Sequence, residues 1–204
     1  MNNQFARFMA IGFIVLLSAC ASVNPQHPDV VQEDQLKGKE AEVANVYFIR
    51  PRPLKSKGVA DEAVRIEFQG QELLKIDEGS YTLLHIKPSK GQLKVFSWTQ
   101  FTNKERPIEV WRAREYKFIE GKTYFVYIRQ INEEFRGVFY DPEPVGLDEA
   151  KKLLASTFAR GAARKAPIDK LTEVDEPPSS ATEDLAPALP ENIYQREQYL
   201  HKIQ

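Results

Sequence analysis

The side chain with the most reactive chemistry in this sequence is the thiol of Cys20, the only cysteine among 204 residues. It follows an apolar run of ten residues, 8–17, and the small residues Ser18 and Ala19. Ten apolar residues are too few to cross a bilayer, which needs about 20. A short apolar run that ends in small residues is instead typical of an export signal. We therefore expect residues 1–19 to be a signal peptide that is cleaved between Ala19 and Cys20.

The four residues Leu17-Ser18-Ala19-Cys20 resemble the lipobox of bacterial lipoproteins. The resemblance implies that the Cys20 sulfur takes a diacylglycerol as a thioether and that the new amino group is acylated after cleavage. Two or more acyl chains hold a protein stably in a bilayer, whereas one chain binds only marginally. Membrane lipid is therefore one expected partner, reached through acylated Cys20. The alternatives are a secretory signal followed by an unmodified cysteine, or a cysteine buried in the core.

The residue after Cys20 bears on the membrane in which such an anchor would lie. In enterobacterial lipoproteins an aspartate at this position resembles a retention signal for the inner membrane, and here the residue is Ala21. The resemblance therefore implies the inner leaflet of the outer membrane, with the protein facing the periplasm. No second apolar run of this kind occurs in the sequence, which excludes a protein that spans the membrane several times.

The other residues that could act in catalysis or bind a metal show no functional pattern. His27, His85 and His201 fall in three different predicted elements, and no G-x-S-x-G nucleophile motif occurs. Four carboxylates within residues 141–149 lack the glycine and spacing of a calcium loop and are typical of a solvated turn and a helix start. Glu133-Glu134 is typical of a hairpin tip. We therefore expect no catalytic residue, no metal and no cofactor, and we expect that the protein is not an enzyme.

A loop with the sequence RPRPLKSKG could instead contact an anionic partner. It has four cations and no acidic residue, a composition that suits phosphate, anionic lipid or an acidic protein surface. The alternative is a solvated loop that proline stiffens. The four cations are Arg50, Arg52, Lys55 and Lys57.

Aromatic residues on two neighbouring predicted strands could form a second binding surface. Trp98 and Phe101 lie in VFSWTQF, and Trp111 and Tyr116 lie in VWRAREYKF. Exposed together, such rings could stack on sugars or anchor a protein partner. The alternative is that they belong to the hydrophobic core. The formal net charge of −1 argues against nucleic acid as a partner, because nucleic acid requires a strongly basic face.

Residues 45–142 carry the pattern of short strands that turns separate. In AVRIEFQG, apolar residues alternate strictly with polar ones, and Glu120-Gly121-Lys122 is a typical hairpin turn. Eight such strands at spacings of about 8–12 residues predict an all-β fold, an antiparallel sandwich or barrel, and of these two we expect the antiparallel β-sandwich. The predicted strands are NVYFIRP, AVRIEFQG, ELLKID, SYTLLHI, QLKVFSW, EVWRAREYKFI, TYFVYIRQI and FRGVFY.

The regions outside the strands differ in composition, which suggests the organisation of the chain. LDEAKKLLASTFAR has apolar residues at helical spacing before Gly161, and it is followed by a segment rich in proline and acidic residues. Such a segment cannot bury enough surface to fold alone. The predicted segments are a signal peptide (1–19), a lipidated N-terminus with a flexible tether (20–44), the β-sandwich domain (45–142), a helix packed on the sandwich (143–166), an acidic proline-rich disordered linker (167–190) and a short amphipathic helix (191–204).

Three motifs resemble a family of small Gram-negative lipoproteins that is catalogued as a domain of unknown function. They are VYFIRP at 46–51, GSYTLLHIKPSKGQLKV at 79–95 and EGKTYFVYI at 120–128. The resemblance covers about half of the chain and implies a β-sandwich of the kind found in PEGA and carboxypeptidase-regulatory-like modules. Gln92 stands where the family commonly has histidine, so no role of that histidine transfers. The resemblance implies a fold and a location, and it implies no activity.

These observations together favour a non-catalytic interaction module in the cell envelope with a protein partner. The alternative is a glycan-binding module for peptidoglycan or polysaccharide that uses exposed aromatic rings, in particular Trp98 and Trp111. The helix predicted over residues 191–204 could dock on a partner or pack back on its own domain.

Overall fold

The computed structural model describes residues 27–53, 63–99, 106–133 and 137–175. The predicted signal peptide, Cys20 and the predicted helix 191–204 lie outside these residues. Within the described part of the chain, no helix is long and apolar enough to cross a membrane.

The described residues form ten strands and a few short helices. The strands are β1 (Val30–Val31), β2 (Ala44–Arg50), β3 (Ala63–Phe68), β4 (Gln71–Asp77), β5 (Ser80–Ile86), β6 (Ser89–Thr99), β7 (Ile108–Phe118), β8 (Thr123–Glu133), β9 (Gly137–Val145) and β10 (Phe158–Gly161). The helices are α1 (Glu33–Leu36) and α2 (Leu147–Leu153), with single 3-10 turns at Glu40–Glu42, Leu154–Ser156, Ala162–Arg164 and Ile168–Lys170. The eight strands predicted from the sequence are β2 to β9.

The strands form two sheets that pack face to face, which confirms the predicted β-sandwich. The second sheet has the order β4-β3-β6-β7 and is antiparallel throughout. The first sheet has the order β1-β5-β2-β8-β9, and β10 also pairs with β5. It is mixed, because the β2–β8 and β5–β10 pairs are parallel. The chain between β2 and β8 passes through the whole second sheet, and a connection of that length permits parallel pairing.

The core between the sheets is built by alternate residues of the strands. Val64, Ile66 and Phe68 on β3 are all fully buried, as the sequence alternation predicts. The Phe118 ring lies at the centre of an aromatic cluster, with its centroid 5.0 Å from that of Phe68 and 5.1 Å from that of Tyr124. Removal of this apolar area from water is the main force that holds the two sheets together.

The outer face of the first sheet is covered by residues 147–175, which we call the covering segment. Ala150, Ala163 and Ile168 of this segment are fully buried in one cluster with Tyr47 and Phe125 of the sheet. The first sheet is therefore buried on both faces.

Tyr47 fastens the covering segment to the sheet. Its hydroxyl donates a hydrogen bond to the Ala166 carbonyl oxygen at 2.8 Å, and its ring stacks on Phe125 with centroids 5.4 Å apart. Burial raises the pKa of Tyr47 to about 12, so the hydroxyl keeps the proton that it donates.

The covering segment differs from the single helix predicted over residues 143–166. Residues 143–145 belong to β9, α2 ends at Leu153, and Phe158 lies in β10 with 62% of its surface exposed. The physical reason is the open edge of β5. The Phe158 N–H donates to the Gly79 carbonyl oxygen, and β10 then pairs with β5. Pairing with this edge satisfies backbone groups that a longer helix would have satisfied internally.

The first residues of the predicted disordered linker, 167–175, also fold. Ile168 is fully buried, and the Asp175 carbonyl oxygen accepts a hydrogen bond from the Thr123 N–H at 2.9 Å. The rest of the predicted linker lies outside the described residues. Ile168 packs in the same cluster as Tyr47 and Phe125 of the sheet, and Leu171 and Val174 pack against that cluster.

Residues 27–44 of the predicted flexible tether pack on the sandwich as well. His27 is 3% exposed, and its Nε2 donates to the Phe68 carbonyl oxygen at 3.1 Å while its Nδ1 accepts from the Asp29 N–H at 3.1 Å. β1 then pairs with β5. The prediction of a flexible tether is therefore wrong for residues 27–44. The edge of β5 and the buried Phe68 carbonyl oxygen form hydrogen bonds with this stretch, and its polar composition gave no sign of them.

The strands give the sandwich two distinct ends. The His27 end contains His27 and the turns at residues 69–70, 87–88 and 119–122, and the Trp98 end contains Trp98 and the last residues of β2. The eleven residues of β6 run from one end to the other. At the rise of a β-strand, this places the two ends about 33 Å apart.

Candidate functional site

The first cation of the predicted basic loop is buried inside the fold. Arg50 is 1% exposed, and its Nη1 donates to the Ile76 carbonyl oxygen at 2.9 Å. Its Nη2 donates to the Tyr140 hydroxyl oxygen at 3.2 Å, and the guanidinium carbon lies 4.8 Å from the centre of the Tyr140 ring. Arg50 therefore links β2 to β4 and β9 and is not the exposed contact for an anionic partner that the sequence suggested.

The second cation of this loop, Arg52, is exposed beside the covering segment. Its guanidinium carbon lies 6.0 Å from the centre of the Phe158 ring. Its stem lies over Gly79, where a Cβ atom would come within 2.8 Å of Arg52 Nε, and Gly79 has a φ of +71° that favours glycine. Lys55 and Lys57 lie outside the described residues, so Arg52 is the part of the predicted basic site that the structure leaves exposed.

The second sheet presents an outer face that no element of the described chain covers. Phe96 on β6 lies directly opposite Trp111 on β7, with ring centroids 6.3 Å apart, and Trp98 follows on the same face of β6. Trp98 is 55% exposed, and Phe96 and Trp111 are half-buried. The structure thus brings Trp98 and Trp111 together on one face of one sheet.

The other two aromatic residues of the predicted surface do not join this face. Tyr116 points into the core, where it is almost fully buried, and its hydroxyl donates to the Pro142 carbonyl oxygen at 3.1 Å. Burial raises the pKa of Tyr116, so this hydroxyl also stays protonated. Phe101 lies outside the described residues.

Cationic side chains lie over two of the exposed rings. The Arg65 guanidinium carbon is 3.9 Å from the centre of the Phe96 ring, and Lys94 Nζ is 4.6 Å from the centre of the Trp111 ring. A cation in this position is attracted by the electron-rich face of the ring. We call the group of Arg65, Lys94, Phe96, Trp98 and Trp111 the aromatic face.

Two carboxylates balance the charge of the aromatic face. Arg65 forms ion pairs with Glu67 and with Glu109, the latter at 2.9 Å. Lys94 lies opposite Glu67 in the register of β3 and β6. The surface is therefore neutral overall, with apolar rings framed by paired charges.

His85 lies near the end of β5, opposite Asn45 of β2 and Val31 of β1. Its Nδ1 donates to the Asn45 side-chain oxygen at 2.8 Å. Burial lowers the pKa of His85, and Glu33 and Glu40 oppose that shift. The neutral ring borders an open cleft of about 740 Å³ that Glu33 and Lys165 also line, and these two residues form an ion pair. The contacts of His85 are those of a structural histidine.

The carboxylates predicted to lie in a solvated turn are part of β9. Asp141 accepts a hydrogen bond from Arg114 Nη2 at 3.0 Å, and Glu143 pairs with Arg129 Nε at 2.7 Å. These ion pairs join β9 to β7 and β8. Among the described residues, no group of three or more histidine, cysteine or carboxylate side chains is arranged to hold a metal ion.

No family model, curated protein or solved structure matches this chain. The resemblance to Gram-negative lipoproteins therefore stays a prediction from three motifs. In the structure VYFIRP lies in β2, GSYTLLHIKPSKGQLKV covers β5 and β6, and EGKTYFVYI leads into β8.

The sequence interpretation missed three members of the aromatic face, namely Arg65, Phe96 and Lys94. The alternation in QLKVFSW could have found Lys94 and Phe96, because Leu93 and Val95 are buried and the residues that alternate with them face outward. The cross-strand pairing that brings Arg65 beside Phe96 is not encoded in any local pattern.

Proposed function

We propose that the protein is a lipid-anchored, non-catalytic interaction module of the bacterial cell envelope. It is held in the inner leaflet of the outer membrane through acylated Cys20, faces the periplasm, and binds another envelope protein through the aromatic face. The observation that carries this proposal is the difference between the two sheets. The covering segment buries the outer face of the first sheet, whereas the outer face of the second sheet is open and holds a tryptophan that is 55% exposed.

The composition of the aromatic face favours a protein partner. Tryptophan and arginine are the residues that most often dominate the energy of protein–protein interfaces. The Phe96 and Trp111 rings are half-buried and in contact with cations, so little side-chain freedom remains to be lost on binding. The paired charges make the surface neutral, which suits a mixed protein surface better than a polyanion.

A second candidate function is glycan binding to peptidoglycan or polysaccharide. The exposure of Trp98 next to Trp111 supports it, because a sugar ring can stack on an open aromatic face. However, Arg65 and Lys94 already lie over the Phe96 and Trp111 rings, and a sugar would have to displace them to stack there. This candidate therefore depends on Trp98, which is the most exposed ring of the aromatic face.

A photoreactive amino acid in place of Trp98 is expected to crosslink in cells to one discrete envelope protein. In the same protein, Trp111→Ala should reduce that product about tenfold or more, since a central tryptophan commonly contributes 2 kcal/mol or more to binding. The yield of the product on gels, followed by mass spectrometry, measures both effects.

The matched control for this experiment is position 158. Phe158 is as exposed as Trp98 but lies on the covering segment, away from the aromatic face. A product that forms at position 158 and not at position 98 would contradict the assignment of the binding surface. A product at position 98 that consists of peptidoglycan instead of protein would support the glycan candidate.

The lipid anchor has its own test. Cys20→Ser is expected to abolish labelling by a fatty-acid probe and to release the protein from the membrane fraction, because serine has no thiol on which the thioether could form. Ser22→Ala is the matched control and should label normally. Persistent labelling of Cys20→Ser would refute the anchor.

A further inference from the structure

His27, the first residue that the structure describes, lies only a short distance along the chain from the proposed lipid anchor. His27 is buried and hydrogen-bonded to the end of β3, and six residues separate it from Cys20. A stretch of this length spans at most about 25 Å, whatever its conformation. A lipid on Cys20 would therefore keep the His27 end within about 25 Å of the bilayer surface.

This short connection limits how the sandwich can stand on the membrane. The two ends of the sandwich are about 33 Å apart along β6. An orientation with the Trp98 end on the bilayer would place His27 farther from the surface than the connection can reach. The His27 end is thus the end that can approach the lipid headgroups.

Three exposed lysines, Lys87, Lys90 and Lys117, lie around His27, where the chain from Cys20 joins the sandwich and which we call the attachment point. Lys87 Nζ donates to the Pro28 carbonyl oxygen at 2.8 Å, and the Lys87 N–H donates to the Asp29 carbonyl oxygen at 2.7 Å. These bonds place Lys87 directly beside the chain that leads to Cys20.

Lys90 and Lys117 lie directly opposite each other on β6 and β7. Like charges in this position destabilise a sheet. In the described part of the chain, neither ammonium group forms an ion pair that would offset the repulsion. The placement of two lysines opposite each other therefore lowers the stability of the fold. An external anion that binds both ammonium groups would explain this placement better.

The other charges at the His27 end nearly balance one another. Residues 37–42 and 120–122 hold three basic and three acidic side chains, and Lys122 is paired with Asp175. Two acidic residues lie near the three lysines, and both are half-buried. Glu115 precedes Lys117 by two residues on the same face of β7, and the Asp29 carbonyl oxygen accepts a hydrogen bond from the Lys87 N–H. With three lysines against these two carboxylates, the side of this end formed by the second sheet keeps a net positive charge.

We propose that the His27 end docks on the bilayer, with Lys87, Lys90 and Lys117 in contact with anionic phospholipid headgroups. The inference rests on the lipid anchor of the proposed function. Each lysine near an anionic membrane favours the docked state by about fivefold, which is weak alone. It becomes sufficient when the anchor already holds the domain at the surface and supplies a high effective concentration. Docking in this way directs the Trp98 end, with the exposed ring of the aromatic face, into the periplasm.

The test uses the acylated full-length protein reconstituted into phosphatidylcholine vesicles with or without phosphatidylglycerol. Because acylation removes the only native thiol, one new cysteine can carry a fluorophore at either end. Gln71→Cys labels the His27 end and Arg106→Cys labels the Trp98 end, both at exposed positions. A nitroxide on the lipid headgroup is expected to quench the label at position 71 and not the label at position 106.

The lysines are tested in the same vesicles. Lys90→Gln together with Lys117→Gln should lower the ratio of docked to undocked protein about 25-fold and reduce the quenching at position 71 to the level seen without phosphatidylglycerol. Lys75→Gln together with Lys152→Gln, which removes two exposed lysines elsewhere, should leave the quenching unchanged. Lys87 is kept, because it holds the attachment point in place.

Two results would overturn the inference and can be told apart. Equal quenching at positions 71 and 106, or quenching that neither the lysine substitutions nor the loss of phosphatidylglycerol changes, would refute membrane docking while the anchor stands. Absence of fatty-acid labelling at Cys20 would refute the anchor and the docking together. Thermal unfolding of the Lys90→Gln, Lys117→Gln variant should be unchanged or shifted slightly upward, since the substitutions remove a repulsion.

Discussion

Arg50→Ala is expected to lower the free energy of unfolding by about 3 kcal/mol. The substitution removes the donors for the Ile76 carbonyl oxygen and the Tyr140 hydroxyl, and it leaves a void where a long side chain was fully buried. Urea denaturation followed by circular dichroism measures the change.

Arg52→Ala is the matched control for this prediction. Arg52 is two residues away and exposed, so its removal should change the free energy of unfolding by no more than about 0.5 kcal/mol. Equal small losses in both variants would show that Arg50 is not the internal link between β2, β4 and β9. The pair of variants therefore separates a structural arginine from one that a partner could contact.

Phe118→Ala is expected to cost about 3–5 kcal/mol of stability. The Phe118 ring is buried between the sheets and contacts the Phe68, Tyr116 and Tyr124 rings, with centroid distances of 5.0, 5.6 and 5.1 Å. Alanine removes these contacts and leaves a cavity that the rigid strands can close only in part.

Phe158→Ala provides the comparison, because it deletes the same ring from a position that is 62% exposed. Its midpoint of urea denaturation should stay close to that of the unchanged protein. A loss for Phe118→Ala no larger than that for Phe158→Ala would contradict the position of Phe118 at the centre of the core.

The two proposals about function are geometrically compatible. The short connection to Cys20 keeps the His27 end near the bilayer, and β6 carries the side chain of Trp98 to the opposite end. The part of the aromatic face that is most exposed is thus the part farthest from the lipid. An envelope partner could reach it without displacing the domain from the membrane.

Much of the sandwich follows from local patterns. The strict alternation in AVRIEFQG predicted β3 and its buried face, and Glu120-Gly121-Lys122 predicted the turn between β7 and β8, where Gly121 has a positive φ. Period-two patterns and turn residues act over a few residues, so they can be read without knowing what packs against them.

Other features depend on contacts between distant parts of the chain. Alternation within β7 places Trp111 and Tyr116 on opposite faces, but only the register of β6 and β7 shows that Trp98 shares a face with Trp111. Nothing local indicates which face of the second sheet meets the core. Arg50 looks like a surface residue until Ile76 and Tyr140 are placed beside it.

The chain on either side of the predicted sandwich illustrates the same limit. Local sequence patterns identified the single thiol, the apolar run at residues 8–17 and the eight central strands, because each of these properties belongs to a short continuous stretch. It could not show that residues 27–44 pack on the sandwich or that the predicted helix gives way to β10, because both depend on the edge of β5. That edge exists only after the sheet has formed, and its free backbone groups then bind whichever segment the fold brings to it.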